Sequence, residues 1–512
     1  MHRRRLIVAL VTILALVAAA CGDDDGDSAT GDAETTTTAP ADPDATTDGE
    51  DTEDGDAGDD AGDGEVAAEL PPCPLDALDD ADGPVEVVVW HSQTAEPGDT
   101  LEALAARYND AQQRVQVRLE SQGAGYSELK RKFQTALPSG DLPALIMFDD
   151  TSTLEMADSG VVLPGAACFA AAGMDLDDFS PVATSYYTID GVLWPVSANL
   201  AGALLYYNRD HFTAAGLDPD DPPDTLVELR EAAEAIAAAG VAERPFVHEL
   251  ASWKTEFWLT GAGSPIVDND NGRGPGETLS ATLADNPEAL ELFTWFDDME
   301  EAGLLEPVAS TDGQIDHYLA LASERSSMTV DSTGAATSIE AFLAGQLDPE
   351  DIGNADVSPS GLDIAASEFP GLVPGNATQM GGAAWYLMNT TSPEVQAAAF
   401  DFMGFMNSTE AQVELLTGGS YVPWRPGVLD EPAVVDYFET SLAGEWLEIA
   451  AVQIDSIDPA FPGPLIGPYD PDVRDVIEDA HDSFLLAGGT PQEALDRAQA
   501  EIDELLEAYA SF

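Results

Sequence analysis

Residues 85–149 alternate strand-like and helix-like segments, and this pattern limits the fold more than any other feature of the chain. VEVVVW (85–90), VQVRLE (115–120) and PALIMF (143–148) predict strands. Between them, TLEALAARYND and GYSELKRKFQTAL carry apolar residues at helical spacing. A βαβαβ order predicts parallel strands joined by right-handed crossovers, and therefore an α/β fold.

Polar residues follow these strands at their carboxyl ends, which is where open α/β sheets bind ligands. They are His91, the loop 123–126, Asp149 and Asp150. Each also has an ordinary structural explanation, because loop histidines pack against neighbours and aspartates cap helices. The pattern predicts a ligand site at this edge of the sheet and leaves the ligand open.

The N-terminus, MHRRRLIVALVTILALVAAAC, has three arginines before an apolar stretch. The stretch is about 15 residues long, which suits a secretory signal better than a membrane span of about 20. We expect residues 1–20 to be a signal peptide and Ala19-Ala20-Cys21 to be a lipoprotein box, with Cys21 lipidated. A plain signal peptide cut near Ala20 is the alternative. The lipid would hold the exported protein at the extracellular face of the cell membrane.

Residues 22–69 contain almost no apolar bulk and no Lys or Arg. Such a segment cannot bury enough surface to fold, so 21–69 is interpreted as a lipidated cysteine followed by an acidic disordered tether. Of the 96 acidic residues, 77 lie in 70–512 against 15 Lys and Arg, a net charge of −62. This excess excludes a nucleic-acid footprint. It indicates a salt-rich medium, where the Debye length falls to about 3 Å at 1 M.

The cysteines are three in number. With Cys21 assigned to the lipid, Cys73 and Cys168 remain in an exported, oxidising setting, where a Cys73–Cys168 disulfide is expected. Two unpaired buried thiols are the alternative.

A second unit begins with GALLYYN (202–208), a predicted strand. RDHFTAAG is a short helix that ends at Gly216, and a Thr225–Glu228 capping box opens a longer helix that ends at Gly240. A body of about 440 residues exceeds one simple core, so we expect two lobes.

Three segments in order resemble the extracellular solute-binding proteins that deliver ligands to ABC importers: LYYNRDHFTAAGLDPDDPPDTLVEL, ERSSMTVDSTGAATSI and GGAAWYLMNTTSPEVQAAAFDFMGFMNSTEAQVEL. GSYVPWRPG and GPYDPDVRDVIEDAHDSFLLAGG resemble the glycerol-3-phosphate-binding branch. The resemblance implies a two-lobed, periplasmic-binding-protein-like α/β fold of type II, with crossing segments as the hinge. Its expected first lobe is 70–198 with 330–384, and its second is 199–329 with 385–512.

Matched motif by motif, the resemblance places ligand contacts at Tyr126, Asp150, Ser197, Trp253, Ser332, Gly382, Tyr421 and Arg474. Arg474 would pair with phosphate, which suits a guanidinium fork. The branch covers its ligand with two tryptophans, and the second position falls near Glu256 in this chain. Glycerol 3-phosphate or a related phosphate ester is therefore the expected ligand, and a neutral sugar or oligosaccharide is the alternative.

The resemblance implies capture without chemistry, with no catalytic residue and no cofactor. Its expected partners are the solute and the ABC permease, and we expect a monomer. The histidines show no zinc spacing. DNDNGRGPGETL (268–279) has Gly272 where a calcium loop needs a ligand, so it is interpreted as a polar turn and no metal is expected. A secreted hydrolase is the competing class.

Overall fold

The computed structural model describes residues 70–123, 125–311, 315–346, 357–358, 361–374 and 378–511. All of them belong to one compact unit, Val66–Phe512. The expected signal peptide, Cys21 and the whole expected tether lie outside the described residues. In the part that the structure describes, no helix is both long and apolar enough to cross a membrane.

Strands and helices alternate along most of the chain. The strands are β1 (Val85–His91), β2 (Val115–Ser121), β3 (Leu145–Asp149), β4 (Val162–Leu163), β5 (Thr188–Ile189), β6 (Val192–Leu193), β7 (Val196–Ala201), β8 (Ala203–Asn208), β9 (Phe246–Glu249), β10 (Leu305–Val308), β11 (Met328–Ser332), β12 (Ile364–Glu368) and β13 (Gly381–Met388). The helices are α1 (Ala95–Ala111), α2 (Tyr126–Ala136), α3 (Thr153–Asp158), α4 (Gly165–Ala172), α5 (Pro181–Tyr186), α6 (Arg209–Ala215), α7 (Leu226–Ala239), α8 (Ser252–Gly261), α9 (Asp268–Asn271), α10 (Pro287–Glu301), α11 (Asp316–Ala322), α12 (Ala336–Leu343), α13 (Pro393–Met406), α14 (Thr409–Gly419), α15 (Pro432–Thr440), α16 (Leu442–Asp455), α17 (Arg474–Leu485) and α18 (Pro491–Ala510).

The first sheet has the strand order β2-β1-β3-β13-β4, and β7 also pairs with β13. β1 pairs in parallel with β2 and with β3, which confirms the predicted βαβαβ unit. β3 is buried along its whole length, as expected for a strand whose sheet is covered on both faces. β13 is antiparallel to β3, so the chain leaves this sheet and returns to it.

The second sheet has the order β10-β9-β11-β8-β12. β9 pairs in parallel with β10 and β11, whereas β8 runs antiparallel to β11 and β12. Each sheet therefore has one long antiparallel strand that arrives from the other sheet. This exchange confirms the expected two-lobed α/β fold with crossing segments.

The hinge region is built where β7 of the first sheet continues into β8 of the second through Gly202. The Gly202 amide donates to the Thr333 hydroxyl at 3.2 Å, and the Thr333 amide donates to the Gly202 carbonyl at 2.9 Å. Thr333 follows β11, so two crossing segments are hydrogen-bonded to each other between the sheets. A paired crossing of this kind lets the lobes rotate while the connection stays in place.

The strand pairing departs from the predicted lobe boundaries in the second half of the chain. Segment 330–384 is expected in the first lobe, yet β12 pairs with β8 in the second sheet. Segment 385–512 is expected in the second lobe, yet half of β13 lies in it and pairs in the first sheet. α13 and α14 pack against β1 and α1, and α17 and α18 pack in the second lobe. The boundaries need correction there because a buried strand does not reveal its pairing partner.

Local capping agrees with the sequence in the segment that starts the second lobe. The Asn208 side chain accepts from the His211 amide, and α6 ends at Gly216 with φ +83°. Thr225 caps α7 by accepting from the Glu228 amide at 3.2 Å. Each such cap stabilises a helix by about 1 kcal/mol.

Tyr206 and Tyr207 are the paired tyrosines at the end of β8. Both are buried. The Tyr206 hydroxyl donates to the Ser332 carbonyl at 3.0 Å, and the Tyr207 hydroxyl donates to the Pro219 carbonyl at 2.8 Å. Tyr206 thereby fixes the end of β11, where the second crossing segment begins.

The Cys73–Cys168 disulfide is formed, as expected. It ties the segment before β1 to α4 and closes a loop with a sequence separation of 95 residues. In the chain-entropy description, a loop of this length stabilises the folded state by about 4–5 kcal/mol.

Candidate functional site

A cavity of about 580 Å³ lies between the two lobes. The first lobe contributes Ser92, Gln93, Tyr126 and Tyr421, and the second contributes α11 and the end of β11. Three predicted ligand contacts, Tyr126, Ser332 and Tyr421, therefore line one cavity.

Gln93 connects the two tyrosines of this cavity. Its Nε2 donates to the Tyr126 hydroxyl at 3.0 Å, and the Tyr421 hydroxyl donates to its Oε1 at 2.7 Å. Burial raises the pKa of Tyr421 to about 12 and that of Tyr126 well above its ordinary value. Both hydroxyls thus stay protonated near neutral pH and remain available as hydrogen-bonding groups.

Ser332 ends β11 and opens the short helical turn that follows. Its hydroxyl accepts from the Gly334 amide at 3.1 Å, and its own amide donates to the Asp331 carboxylate at 2.6 Å.

Arg474, the first residue of α17, joins the two lobes. Its Nε and Nη2 donate to the two carboxylate oxygens of Glu256 at 2.9 and 3.0 Å. Its Nη1 donates to Asp149 Oδ2 at 3.2 Å. Glu256 belongs to α8 of the second lobe, and Asp149 ends β3 of the first. We call Arg474, Glu256, Asp149 and Asp150 the arginine cluster.

Asp150, the fourth member of the arginine cluster, is buried beside Asp149. Burial and the neighbouring Asp149 raise the pKa of Asp150 to about 7, although Arg474 acts in the opposite direction. Its Oδ2 is buried and makes no hydrogen bond of normal geometry to a described residue, although the nearby Tyr186 hydroxyl acts to lower the pKa of the carboxyl. A buried carboxyl oxygen in this state suits a hydroxyl donor from a solute.

The tyrosine pair and the arginine cluster are neighbours along the same cleft. Asp149 and Asp150 both contribute, after burial and Tyr421, to the raised pKa of Tyr126. Tyr126, Ser332 and Tyr421 line the cavity itself, whereas Asp150 and Arg474 lie outside its described lining, with Asp150 close enough to Tyr126 to act on its pKa.

Arg273 is a second buried guanidinium in this region. Its Nε donates to the Gly463 carbonyl at 2.5 Å and its Nη1 to the Tyr186 carbonyl at 3.2 Å. It stacks on the Tyr186 ring at 4.9 Å, and Tyr186 lies beside Asp150. Burial lowers the pKa of Arg273. The loop 268–279, interpreted as a polar turn, holds this side chain in place.

Ser197, Trp253 and Gly382 lie outside both the described lining of the cavity and the arginine cluster. Ser197 is buried in β7, where its hydroxyl donates to the Asn199 carbonyl at 3.2 Å. Trp253 packs on Phe257 with ring centroids 5.1 Å apart. Gly382 has φ +136°, and a Cβ there would lie 2.4 Å from the Asn199 carbonyl oxygen, so close backbone packing requires glycine.

A second buried ionic group, the lysine cluster, consists of Lys254, Glu249, Asp331 and His317. Lys254 Nζ lies 3.2 Å from Glu249 and 3.7 Å from Asp331, and His317 Nε2 lies 2.5 Å from Asp331. The possible metal ligands of Glu249, His317 and Asp331 have donor atoms within 4.8 Å of one another, a spacing that a metal ion would fit. Lys254 already supplies the positive charge there. All four residues belong to the second lobe.

Gln93 and Arg273 are not predicted from the sequence, and neither is the partner of Glu256. Gln93 follows the carboxyl end of β1, so the strand-end rule pointed to its neighbourhood through His91, whose Nδ1 accepts from the Gln93 amide at 3.3 Å. No local pattern links Glu256 to Arg474, because 218 residues separate them.

Known proteins resemble this chain along most of its length. Residues 103–440 match the family model described as bacterial extracellular solute-binding protein. The chain is 24% identical over 421 residues to the sn-glycerol-3-phosphate-binding periplasmic protein UgpB of Brucella abortus (strain 2308), covering 81% of this chain and 91% of that relative.

Two solved structures share the fold. The GacH receptor of Streptomyces glaucescens GLA.O, determined unliganded and with acarbose and an acarbose homolog, matches with a TM-score of 0.66 at 20% identity, over 83% of this chain and 99% of that one. UgpB from Mycobacterium tuberculosis in complex with glycerophosphocholine matches with a TM-score of 0.65 at 20% identity, over 84% and 100%.

Proposed function

Because the chain belongs to the bacterial extracellular solute-binding proteins, we propose that it captures a small polyhydroxylated solute outside the cell and delivers it unchanged to an ABC permease. The observation that carries this proposal is the cleft between two sheets that exchange strands, where Tyr126 and Tyr421 of the first lobe and Ser332 of the second line one cavity. Closure about the paired crossings would surround the solute with groups from both lobes.

The first candidate ligand is glycerol 3-phosphate or a related phosphate ester. The UgpB relatives are named for glycerol 3-phosphate, and the structure from Mycobacterium tuberculosis contains glycerophosphocholine. Arg474 at the start of α17 supports this candidate, because guanidinium forks and helix N-termini both bind phosphate. Arg474→Ala is then expected to abolish phosphate-ester binding.

The second candidate is a neutral sugar or oligosaccharide. The GacH receptor binds acarbose. Asp149, Asp150 and Glu256 favour this candidate, because buried carboxylates accept hydrogen bonds from sugar hydroxyls and repel anions. The tyrosine pair offers further hydrogen-bonding groups.

The proposed setting is the outer face of the cell membrane, with Cys21 lipidated and 22–69 as the tether. The family is exported. The proposal includes a monomer that docks on permease subunits and binds no nucleic acid, in keeping with the acidic body. It assigns no catalysis to the carboxylates.

Titration calorimetry in concentrated salt tests the function. The panel contains glycerol phosphates, glycerophosphodiesters and oligosaccharides, and mass spectrometry of the recovered solute follows each positive titration. Saturable binding of an unaltered solute supports capture. Conversion of the solute to product supports the hydrolase class, and no binding to any panel member contradicts the proposal.

A further inference from the structure

Arg474 is held by carboxylates on several sides. Glu256 engages Nε and Nη2 with one oxygen each, which is the bidentate geometry that a phosphate group would need. Asp149 takes Nη1. The fork that would recognise a phosphate ester is therefore filled by the chain's own side chains.

Glu256 cannot leave this pairing without a large penalty. Its side chain is fully buried, whereas that of Arg474 is 16% exposed. A phosphate dianion that paired with Arg474 would leave the Glu256 carboxylate buried without its partner and close to the negative charge of the phosphate. Such unpaired buried charges are among the most unfavourable arrangements in proteins.

The charges around the cleft leave no positive surplus for a phosphate. Glu256 and Asp149 bind Arg474, and Asp150 interacts with both Arg474 and Arg273. The two arginines therefore balance carboxylates that are already present. The acidic body adds long-range repulsion of anions, which concentrated salt screens only outside the buried site.

We propose that Glu256 determines the solute class: by holding the Arg474 fork it excludes phosphate monoesters and leaves the cleft to hydroxyl-rich solutes without net negative charge. This rests on the proposed solute-binding function and chooses between its two candidate ligands. In this proposal the Asp150 carboxyl and the hydroxyls of Tyr126 and Tyr421 are the groups that meet the solute.

Titration calorimetry of Glu256→Gln tests the proposal, with glycerol 3-phosphate and maltose as probes. The wild-type chain is expected to give no saturable heat with glycerol 3-phosphate. The variant removes the competing charge at nearly constant shape, so its affinity for glycerol 3-phosphate is expected to rise about tenfold or more. Glu256→Asp keeps the charge and is expected to stay unresponsive to phosphate.

Glu249→Gln is the matched control. It removes one buried carboxylate from the same lobe, but at Lys254 instead of Arg474. It is expected to leave glycerol 3-phosphate unbound, and thermal melting reports whether each variant is folded. An equal phosphate response in Glu249→Gln would assign the effect to net charge and overturn the proposal.

Two further results would overturn it. One is tight binding of glycerol 3-phosphate by the wild-type chain, and the other is no gain in folded Glu256→Gln. Both leave solute capture intact, whereas failure of every solute in the larger panel contradicts the proposed function itself.

Discussion

The arginine cluster and the lysine cluster use the same residue chemistry in different places. Each buries one basic side chain among carboxylates. The lysine cluster lies inside the second lobe, on α8, β9, β11 and α11. The arginine cluster spans both lobes, since Asp149 ends β3 of the first sheet and Arg474 starts α17 of the second lobe. We therefore expect the lysine cluster to act mainly on stability and the arginine cluster to depend on lobe closure.

Location, and not residue type, therefore distinguishes the two clusters: we assign a structural role to the lysine cluster and a functional role to the arginine cluster. Lys254 has a side chain with no exposed surface, and its partners come from elements that move as one body. Arg474 retains 16% exposure and reaches across the cleft. Predictions that treat the two clusters differently test this distinction.

The largest expected effect is that of Lys254→Met. It leaves Glu249 and Asp331 buried without their cation, so the free energy of unfolding should fall by about 3–5 kcal/mol. Lys132→Met is the control, because Lys132 is 43% exposed and lies 3.8 Å from Glu128. Chemical denaturation should place the control within about 1 kcal/mol of the wild type. Equal losses in both variants would contradict a structural role for the lysine cluster.

Arg474→Met should have a smaller effect on unfolding and a larger one on lobe closure. Because water reaches Glu256 once the lobes part, the free energy of unfolding should fall by only about 1–3 kcal/mol. The radius of gyration measured by X-ray scattering should increase, because the lobes close less. Arg114→Met, at an exposed pair with Asp79, is the control. An unchanged radius with a loss as large as that of Lys254→Met would make the two clusters equivalent.

Closure should depend on pH through Asp150. Its pKa of about 7 in this structure lies above its ordinary value of 3.8, so a conformation that buries Asp150 binds more protons between about pH 4 and 7 than one that exposes it. Closure should therefore weaken as pH rises through this window and level off above it. Asp149, Arg474, Glu256 and Tyr186 surround the group. Scattering across the window should show the trend, and Asp150→Asn should remove it.

Asp331 of the lysine cluster should not titrate over the same window. Burial alone would raise the pKa of Asp331, but Lys254 and His317 hold this pKa below its ordinary value. Its contribution to stability is complete above the unfolded pKa, about 3.9, and is lost only as pH falls further. Loss of this contribution between pH 5 and 7 in denaturation experiments would contradict the assignment.

The smallest expected effect is that of Tyr509→Phe. The Tyr509 hydroxyl donates to Asp158 of α3 at 2.7 Å, from the end of α18, and so forms another contact between the lobes. Its loss should favour the open form by less than about 1 kcal/mol. A larger increase in the radius of gyration for Tyr509→Phe than for Arg474→Met would contradict this ranking and would make Tyr509 the main contact that holds the lobes together.

Local features were predictable from the sequence because they depend on neighbouring residues. β1 to β3, the Thr225 cap and the end of α6 at Gly216 follow from periodicity and capping chemistry. The resemblance supplied Tyr126, Ser332 and Tyr421, which meet at one cavity.

Long-range features were not predictable in the same way. The pairing of β12 with β8 and the clamp of Glu256 on Arg474 join residues more than 100 positions apart, and no periodicity encodes such partners. Gly382 matched a ligand motif, but its geometry has a packing reason that only the approach of Asn199 reveals.

The distance between the lobes, with and without solute, tests capture by lobe closure most directly. Spin labels at Thr135→Cys in the first lobe and Val227→Cys in the second occupy exposed helical positions. Pulsed electron paramagnetic resonance should show a broad or longer distance in the free protein and one short distance with a bound solute. A single distance that is the same with and without a saturating solute would contradict this mechanism of capture.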